Sequence, residues 1–182
     1  MTTAIVEHGG PWTEEDYLAL GETSSRVELF DGSLHVTPAP TPRHQMISRR
    51  LASMLDPGAD EAGLLVFESI NIRLKPGRIP IPDLVITEPI DVDDPFVPGS
   101  AARLVCEVVS PANAATDKVL KMHYYAAAAI PWYLLVEQAP GTVCLYRLDG
   151  DTYREDATAA SDGALVLTEP IRAEIDLTAL FR

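Results

Sequence analysis

Cysteine is scarce in this chain. Cys106 and Cys144 stand alone, with no CxxC pair, so neither a disulfide framework nor a structural zinc site is expected. Each lies in an apolar run, which predicts buried, reduced thiols in a cytosolic protein. Histidine is equally sparse in pattern: His8, His35, His44 and His123 show neither HxxxH nor HxH spacing. No apolar run is long enough to span a membrane. The opening MTTAIVEHGG has neither the basic block nor the apolar block of a signal peptide, so no membrane partner is expected. No G-x-S-x-G occurs and no Cys/His nucleophile pair is suggested, which leaves a metal-free hydrolase without support. Internal repeats and low-complexity blocks are also absent. Positive charge is in deficit, with 14 Lys and Arg against 27 Asp and Glu, a net charge of -13. A nucleic-acid-binding domain is usually basic.

What is present is ordinary globular material. The 182 residues are 47% hydrophobic and 23% charged, which suits one domain, residues 1–182, with a substantial core. The charge is uneven. Arg43, Arg49 and Arg50 cluster, Arg73, Lys75 and Arg78 form a second group, and no acid occurs between Ser69 and Pro82. A local basic face on an acidic body and a set of solvated surface charges are both compatible with this pattern.

Periodicity and turn chemistry outline the elements. WTEEDYLALGE reads as a short helix capped by Thr13, with acids in its first turn. RVELFDGSLHVT reads as two strands joined at Asp31-Gly32. TPRHQMISRRLASMLD reads as a helix with Thr41 as cap, Pro42 in the first turn and Ile47, Leu51, Met54 and Leu55 on its apolar face. LLVFESINIRLK alternates as one strand, and PDLVIT and RLVCEVVS are further strands. NAATDKVLKMHYYAAAA is a helix ending near Pro131, followed by strands PWYLLVEQ and TVCLYRLD. Short strands and a final turn or helix, IDLTALF, complete the chain. Strand clusters with covering helices indicate α+β or mixed α/β. The strands at Ile70–Leu74, Asp83–Thr87, Leu104–Val109 and Trp132–Glu137 are expected in one sheet.

Two carboxylates stand out against this apolar background. In LVCEVVS, Leu104, Cys106 and Val108 share one face, while Val105, Glu107 and Val109 share the other. Glu107 is thus an acid among valines. Asp83 opens a strand that continues through Leu84, Val85 and Ile86. A buried carboxylate without a partner is costly and neutralises or finds a cation. A divalent metal satisfies both at once, because Mg²⁺ takes one or two carboxylates with water, backbone carbonyl and substrate oxygens. The helix after Glu107 carries Lys118 and Lys121 three residues apart, on one side. Either ammonium, returning over the sheet, could support phosphodiester hydrolysis at such a metal.

The order ELFDG, PRHQ, PDLVI, CEVVSP and TDKVLKMHYYAAAAIPWYLLV resembles the Uma-type putative restriction endonuclease family, a branch of the PD-(D/E)XK nuclease superfamily. The resemblance runs from about Tyr17 to about Tyr153. It implies a restriction-endonuclease-like core, with a central mixed β-sheet flanked by helices. The implied activity is DNA cleavage dependent on Mg²⁺, with Mn²⁺ as a substitute. Asp83 matches the metal-binding aspartate of the PD dipeptide and Glu107 the acid of the (D/E)XK strand. The superfamily's lysine two residues later is missing, because Val109 stands there; Lys121, in the following helix, takes its place. Glu28 matches an acid near the metal, and His44 a substrate-side or supporting residue. Trp132 before Tyr133 departs from the usual order, a packing variation. The resemblance also points to a homodimer, which suits cutting two strands of a duplex.

Each residue has a plainer reading. Asp83 could cap a turn after Pro82, and Glu107 could form an ion pair with Arg103 or Lys118. Lys118 and Lys121 could be solvated helix lysines, Glu28 an outward hairpin acid, His44 a cap, and Tyr125 simply core. At the level of function, an active Mg²⁺-dependent DNase competes with a nuclease-fold binding or regulatory protein of little catalysis. The negative net charge favours the second, and the intact Asp83, Glu107 and Lys121 set favours the first.

Overall fold

A computed structural model describes residues 9–21, 23, 25–109, 116–160 and 162–182, with backbone alone at 116 and 117. In chain order the elements are α1 (Glu14–Ala19), β1 (Arg26–Phe30), β2 (Ser33–Thr37), α2 (Pro42–Ala62), β3 (Leu65–Glu68), β4 (Ile72–Arg73), β5 (Arg78–Ile79), β6 (Leu84–Thr87), β7 (Val97–Pro98) and β8 (Ala102–Val109). A π-helical turn (Thr116–Lys121) leads into α3 (Met122–Ala127). Then follow β9 (Trp132–Glu137), β10 (Thr142–Asp149), β11 (Thr152–Ala160), β12 (Ala164–Leu167), β13 (Ala173–Asp176) and α4 (Leu177–Phe181). Among the described residues no helix is long and apolar enough to cross a membrane.

The centre is a six-stranded mixed sheet in the order β11-β10-β9-β8-β6-β3. Antiparallel pairing runs throughout except at β8 and β9, which are parallel. A parallel pair cannot be joined by a tight turn. The chain from β8 to β9 therefore crosses over the sheet and carries α3 with it. The strand alternation of β8 holds as read from sequence. Leu104, Cys106 and Val108 enter the core beneath α2, α4 and the β12–β13 hairpin. Val105 and Val109 enter the opposite core, with Tyr125, Tyr133 and Ile130. A third, smaller core of Tyr17, Leu29, Ile79 and Phe96 ties the β1–β2 hairpin to α1.

Local chemistry sets the helix starts. Thr13 Oγ1 accepts from the Asp16 amide while Asp16 Oδ2 accepts from the Thr13 amide, a reciprocal cap at 3.1 and 3.0 Å. Thr41 Oγ1 accepts from the His44 amide at 3.3 Å, which fixes His44 in the first turn of α2. The hairpin turns at Asp31-Gly32 with both residues at positive φ, as the dipeptide predicts.

Four expectations need correction. The α2 helix does not stop at Asp56; it runs through Pro57 to Ala62 and ends at Gly63 in the left-handed conformation. Proline inside a helix costs about 3 kcal/mol, but the extra turn buries Gly58 and Ala59 against the chain entering β13. LLVFESINIRLK is not one strand. Ser69, at φ 51°, bends the chain out of the sheet after β3, and β4 pairs instead with β7 in a parallel two-stranded sheet. The central sheet thus ends on Leu65–Glu68 rather than Ile70–Leu74, while the Asp83, Glu107 and Trp132–Glu137 segments do share it. The helix after Glu107 is π-helical before it becomes α-helical, and the expected start at 113–115 lies outside the described residues. Both cysteines are free, but only Cys106 is buried; Cys144 is half-buried on β10.

Candidate active site

The site grows from strand alternation on β1. Arg26 and Glu28 share one face, and Leu29 turns to the other, into the small core. Glu28 is 2% exposed. Its Oε1 accepts from the Ile81 amide at 2.8 Å and faces Lys121 Nζ at 2.8 Å.

Asp83 lies one residue before β6, with its amide donating to Cys106 O at 3.1 Å, so the ladder to β8 begins at Asp83 itself. Its carboxylate is held from three sides. Oδ2 accepts from the Val108 amide at 2.7 Å and meets His44 Nε2 at 3.1 Å. Oδ1 accepts from Arg26 Nη1 at 2.7 Å. Burial alone would raise its pKa, but the His44 hydrogen bond and the Arg26 charge outweigh burial and hold the carboxyl well below the usual range. Asp83 is therefore ionised at any working pH.

Glu107 is 1% exposed on β8, one strand away. Tyr125 donates to its Oε1 at 2.7 Å, and Lys121 Nζ reaches the same oxygen at 3.1 Å. Arg26 Nη2 stands 3.9 Å from Oε2. Burial raises the Tyr125 hydroxyl well above its usual pKa, and the Glu107 and Glu28 charges add to this, so Tyr125 acts only as a donor. The same causes, burial first and then the Asp83 and Glu107 charges, raise the Cys106 thiol.

Three buried carboxylates thus meet the Arg26 guanidinium and the Lys121 amine. Among the described residues no three ligating side chains have closed to metal-binding geometry. The reason is visible: Arg26 and Lys121 stand between the acids. The donor set nevertheless suits a hard divalent cation. Mg²⁺ needs only one or two protein carboxylates, with water and substrate oxygens filling the remaining positions. Asp83 and Glu107, on neighbouring strands, offer those two.

All five residues singled out from sequence, Asp83, Glu107, Lys121, Glu28 and His44, are brought together. None is the solvated alternative: each is buried. Lys118 also reaches toward the sheet, but it stops at the rim on Glu137 at 2.7 Å. Arg103 pairs with Glu88 rather than Glu107. The second basic cluster is not an open face, because Arg73 pairs with Glu14 at 3.2 Å, and Lys75 and Arg78 pair with Asp31 at 3.4 and 2.6 Å. Arg78 also lies over the Tyr124 ring at 3.6 Å, and Tyr124 donates to Asp31 at 2.9 Å, which fastens the hairpin to α3. Arg26 escaped the sequence reading, and Tyr125, read there as core alone, also donates to Glu107. Arg26 could have been found from its i, i+2 relation to Glu28, and Tyr125 from its i, i+4 relation to Lys121.

With this geometry in view, comparison with known proteins gives three findings. The family described as "Uma2: Putative restriction endonuclease" matches residues 14–179. The crystal structure of "a putative nuclease belonging to DUF820 from Anabaena variabilis ATCC 29413" is similar in fold, with a TM-score of 0.75 at 18% identity, covering 94% of this chain and 98% of that one. No curated protein matches.

Proposed function

We propose that this chain, which belongs to the Uma2 family of putative restriction endonucleases, hydrolyses phosphodiester bonds in DNA with a divalent ion, Mg²⁺ or Mn²⁺, held by Asp83 and Glu107. The observation that carries the reading is the convergence of Asp83, Glu107, Glu28 and Lys121 from β1, β6, β8 and the crossover segment. A bound divalent ion would supply an activated water and neutralise charge on the phosphate. The chain's own residues do the rest. The Val108 amide and His44 keep Asp83 ionised and oriented. Tyr125 fixes the Glu107 carboxylate. Lys121, steadied by Glu28, presents a buried cation to charge developing on the phosphate. Glu28 contributes to metal binding directly or through water. The protein works as one domain over residues 1–182, in the cytoplasm, and as a homodimer.

A second reading has specific support. The net charge of -13 and the existing pairing of the acids with Arg26 and Lys121 favour a nuclease-fold binding module without turnover. Nicking of supercoiled plasmid separates the two. Cleavage that needs Mg²⁺ or Mn²⁺, stops with EDTA and is lost in Asp83→Ala is the expected result. Cleavage retained by Asp83→Ala would sink the metal assignment. No cleavage by the wild type with either ion would favour the binding module.

A further inference from the structure

Arg26 is placed oddly for a structural arginine. Arginine commonly holds a carboxylate through two parallel hydrogen bonds. Arg26 makes one, from Nη1 to Asp83 Oδ1 at 2.7 Å. Its Nη2 stands 3.9 Å from Glu107 Oε2, too far for a hydrogen bond. Nε and Nη2 are both buried without a hydrogen-bond partner among the described residues. The guanidinium therefore bridges the two carboxylates by charge, with most of its donors unused. Beside it opens a cavity of about 370 Å³, lined by Arg26 itself with Thr23, Ser25, Asn71, Tyr17 and Ile81. The lining is mixed: Thr23, Ser25 and Asn71 offer polar atoms to a side chain with hydrogen bonds still to make, among the apolar Leu18, Leu20 and Val27.

We infer that Arg26 is the resident counter-cation of the site: it occupies the space between Asp83 and Glu107 and must swing into the adjoining cavity before those carboxylates can take a divalent ion. This rests on the metal reading above and adds regulation to it. Three buried carboxylates left with Lys121 alone would repel one another. Arg26 lets the metal-free protein fold around them. The cost is that metal affinity is reduced by the fraction of molecules in which Arg26 has moved away.

The test is calorimetric titration of Mn²⁺ into the full chain, comparing wild type, Arg26→Gln and Asp83→Asn, with melting curves of each in metal-free buffer. If Arg26 holds the acids about nine-tenths of the time, Arg26→Gln should bind Mn²⁺ roughly tenfold more tightly. It should also melt lower than wild type without metal and recover more on adding Mn²⁺. Asp83→Asn should not bind. Equal Mn²⁺ affinity in wild type and Arg26→Gln would overturn the competition while leaving the metal site standing. No binding by any of the three would overturn both. Should Arg26→Gln fail to fold, Arg26→Lys keeps a cation but loses the fork, and tighter Mn²⁺ binding than wild type is again expected. In the wild type, Mg²⁺ titration followed at arginine side-chain nitrogens by NMR should shift the Arg26 signal. A signal unmoved at saturation would overturn the inference.

Discussion

Tyr125 follows Lys121 by one helical turn, and both side chains end on the same oxygen, Oε1 of Glu107, at 2.7 and 3.1 Å. The helix thus delivers a neutral donor and a cation to one carboxylate from adjacent turns of one face. Tyr125→Phe keeps the ring in the core and removes only the hydroxyl. A hydrogen bond to a charged group contributes about 1.5–3 kcal/mol. Urea unfolding should show a loss of that size. An unchanged midpoint and slope would mean that Glu107 is held by its other partners alone.

Lys121→Met should be costlier. Lys121 is 2% exposed and lies between Glu28 and Glu107, so its loss leaves two buried carboxylates facing one another. Breaking such a pair typically costs about 3–5 kcal/mol. The variant should unfold earlier in metal-free buffer, and Mn²⁺ should restore part of the difference. Plasmid nicking should fall by about 10²-fold or more, the scale of a lost electrostatic stabiliser. A variant as stable and as active as wild type would remove Lys121 from the site.

The clamp between hairpin and α3 has a pH signature. The hydrogen bond from Arg78 is the first cause, with Tyr124 adding to it, of an Asp31 carboxyl lowered to about 2. The unfolded value is about 3.9. The folded state therefore binds fewer protons between those values, and stability falls as pH drops through that window. Above about pH 5 the clamp's contribution is complete. Because Asp31 is exposed, salt should weaken the effect. A carboxyl NMR titration should give a midpoint near 2 in the native protein, and Arg78→Gln should move it up toward the ordinary value. An ordinary midpoint in the wild type would contradict the clamp.

Gly58 supplies a prediction opposite to the usual rule. In a helix interior Gly→Ala ordinarily gains about 1 kcal/mol. Here a methyl group would overlap the Arg172 carbonyl where the chain enters β13. Gly58→Ala should instead lose about 1–3 kcal/mol, the range for overpacking. A higher melting temperature would show that α2 and this segment can separate without loss.

The parts legible from sequence were those governed by short-range chemistry. Thr13 and Thr41 signal their helices, Asp31-Gly32 signals its turn, and period-two alternation alone isolates Glu107 from its neighbours. The parts missed depend on contacts between distant segments. Pro57 is tolerated because of what Gly58 and Ala59 pack against. Ser69 breaks a good strand pattern because β4 finds β7, a partner absent from local sequence. Arg26 looks like any arginine at a strand start until β6 and β8 bring Asp83 and Glu107 to it. Asp83 and Glu107 were legible because buried charge is conspicuous in an apolar strand, whereas Lys121, Glu28 and His44 were assigned from the family resemblance. The counter-cation Arg26 was less conspicuous because arginine beside serines is commonplace.

The parallel pairing of β8 with β9 has a consequence for synthesis. Lys121 and Tyr125 ride on the segment that joins those two strands. A nascent chain that has just extruded Glu107 therefore has neither the neighbour that covers β8 on that side nor the cation that neutralises Glu107. Both arrive with the next stretch of polypeptide, and sheet closure and charge balance become a single event in time. Ribosome-bound chains halted between Val109 and Trp132 would expose an apolar strand edge, the kind of surface that holdase chaperones grip. Chains released beyond Glu137 would already have buried it.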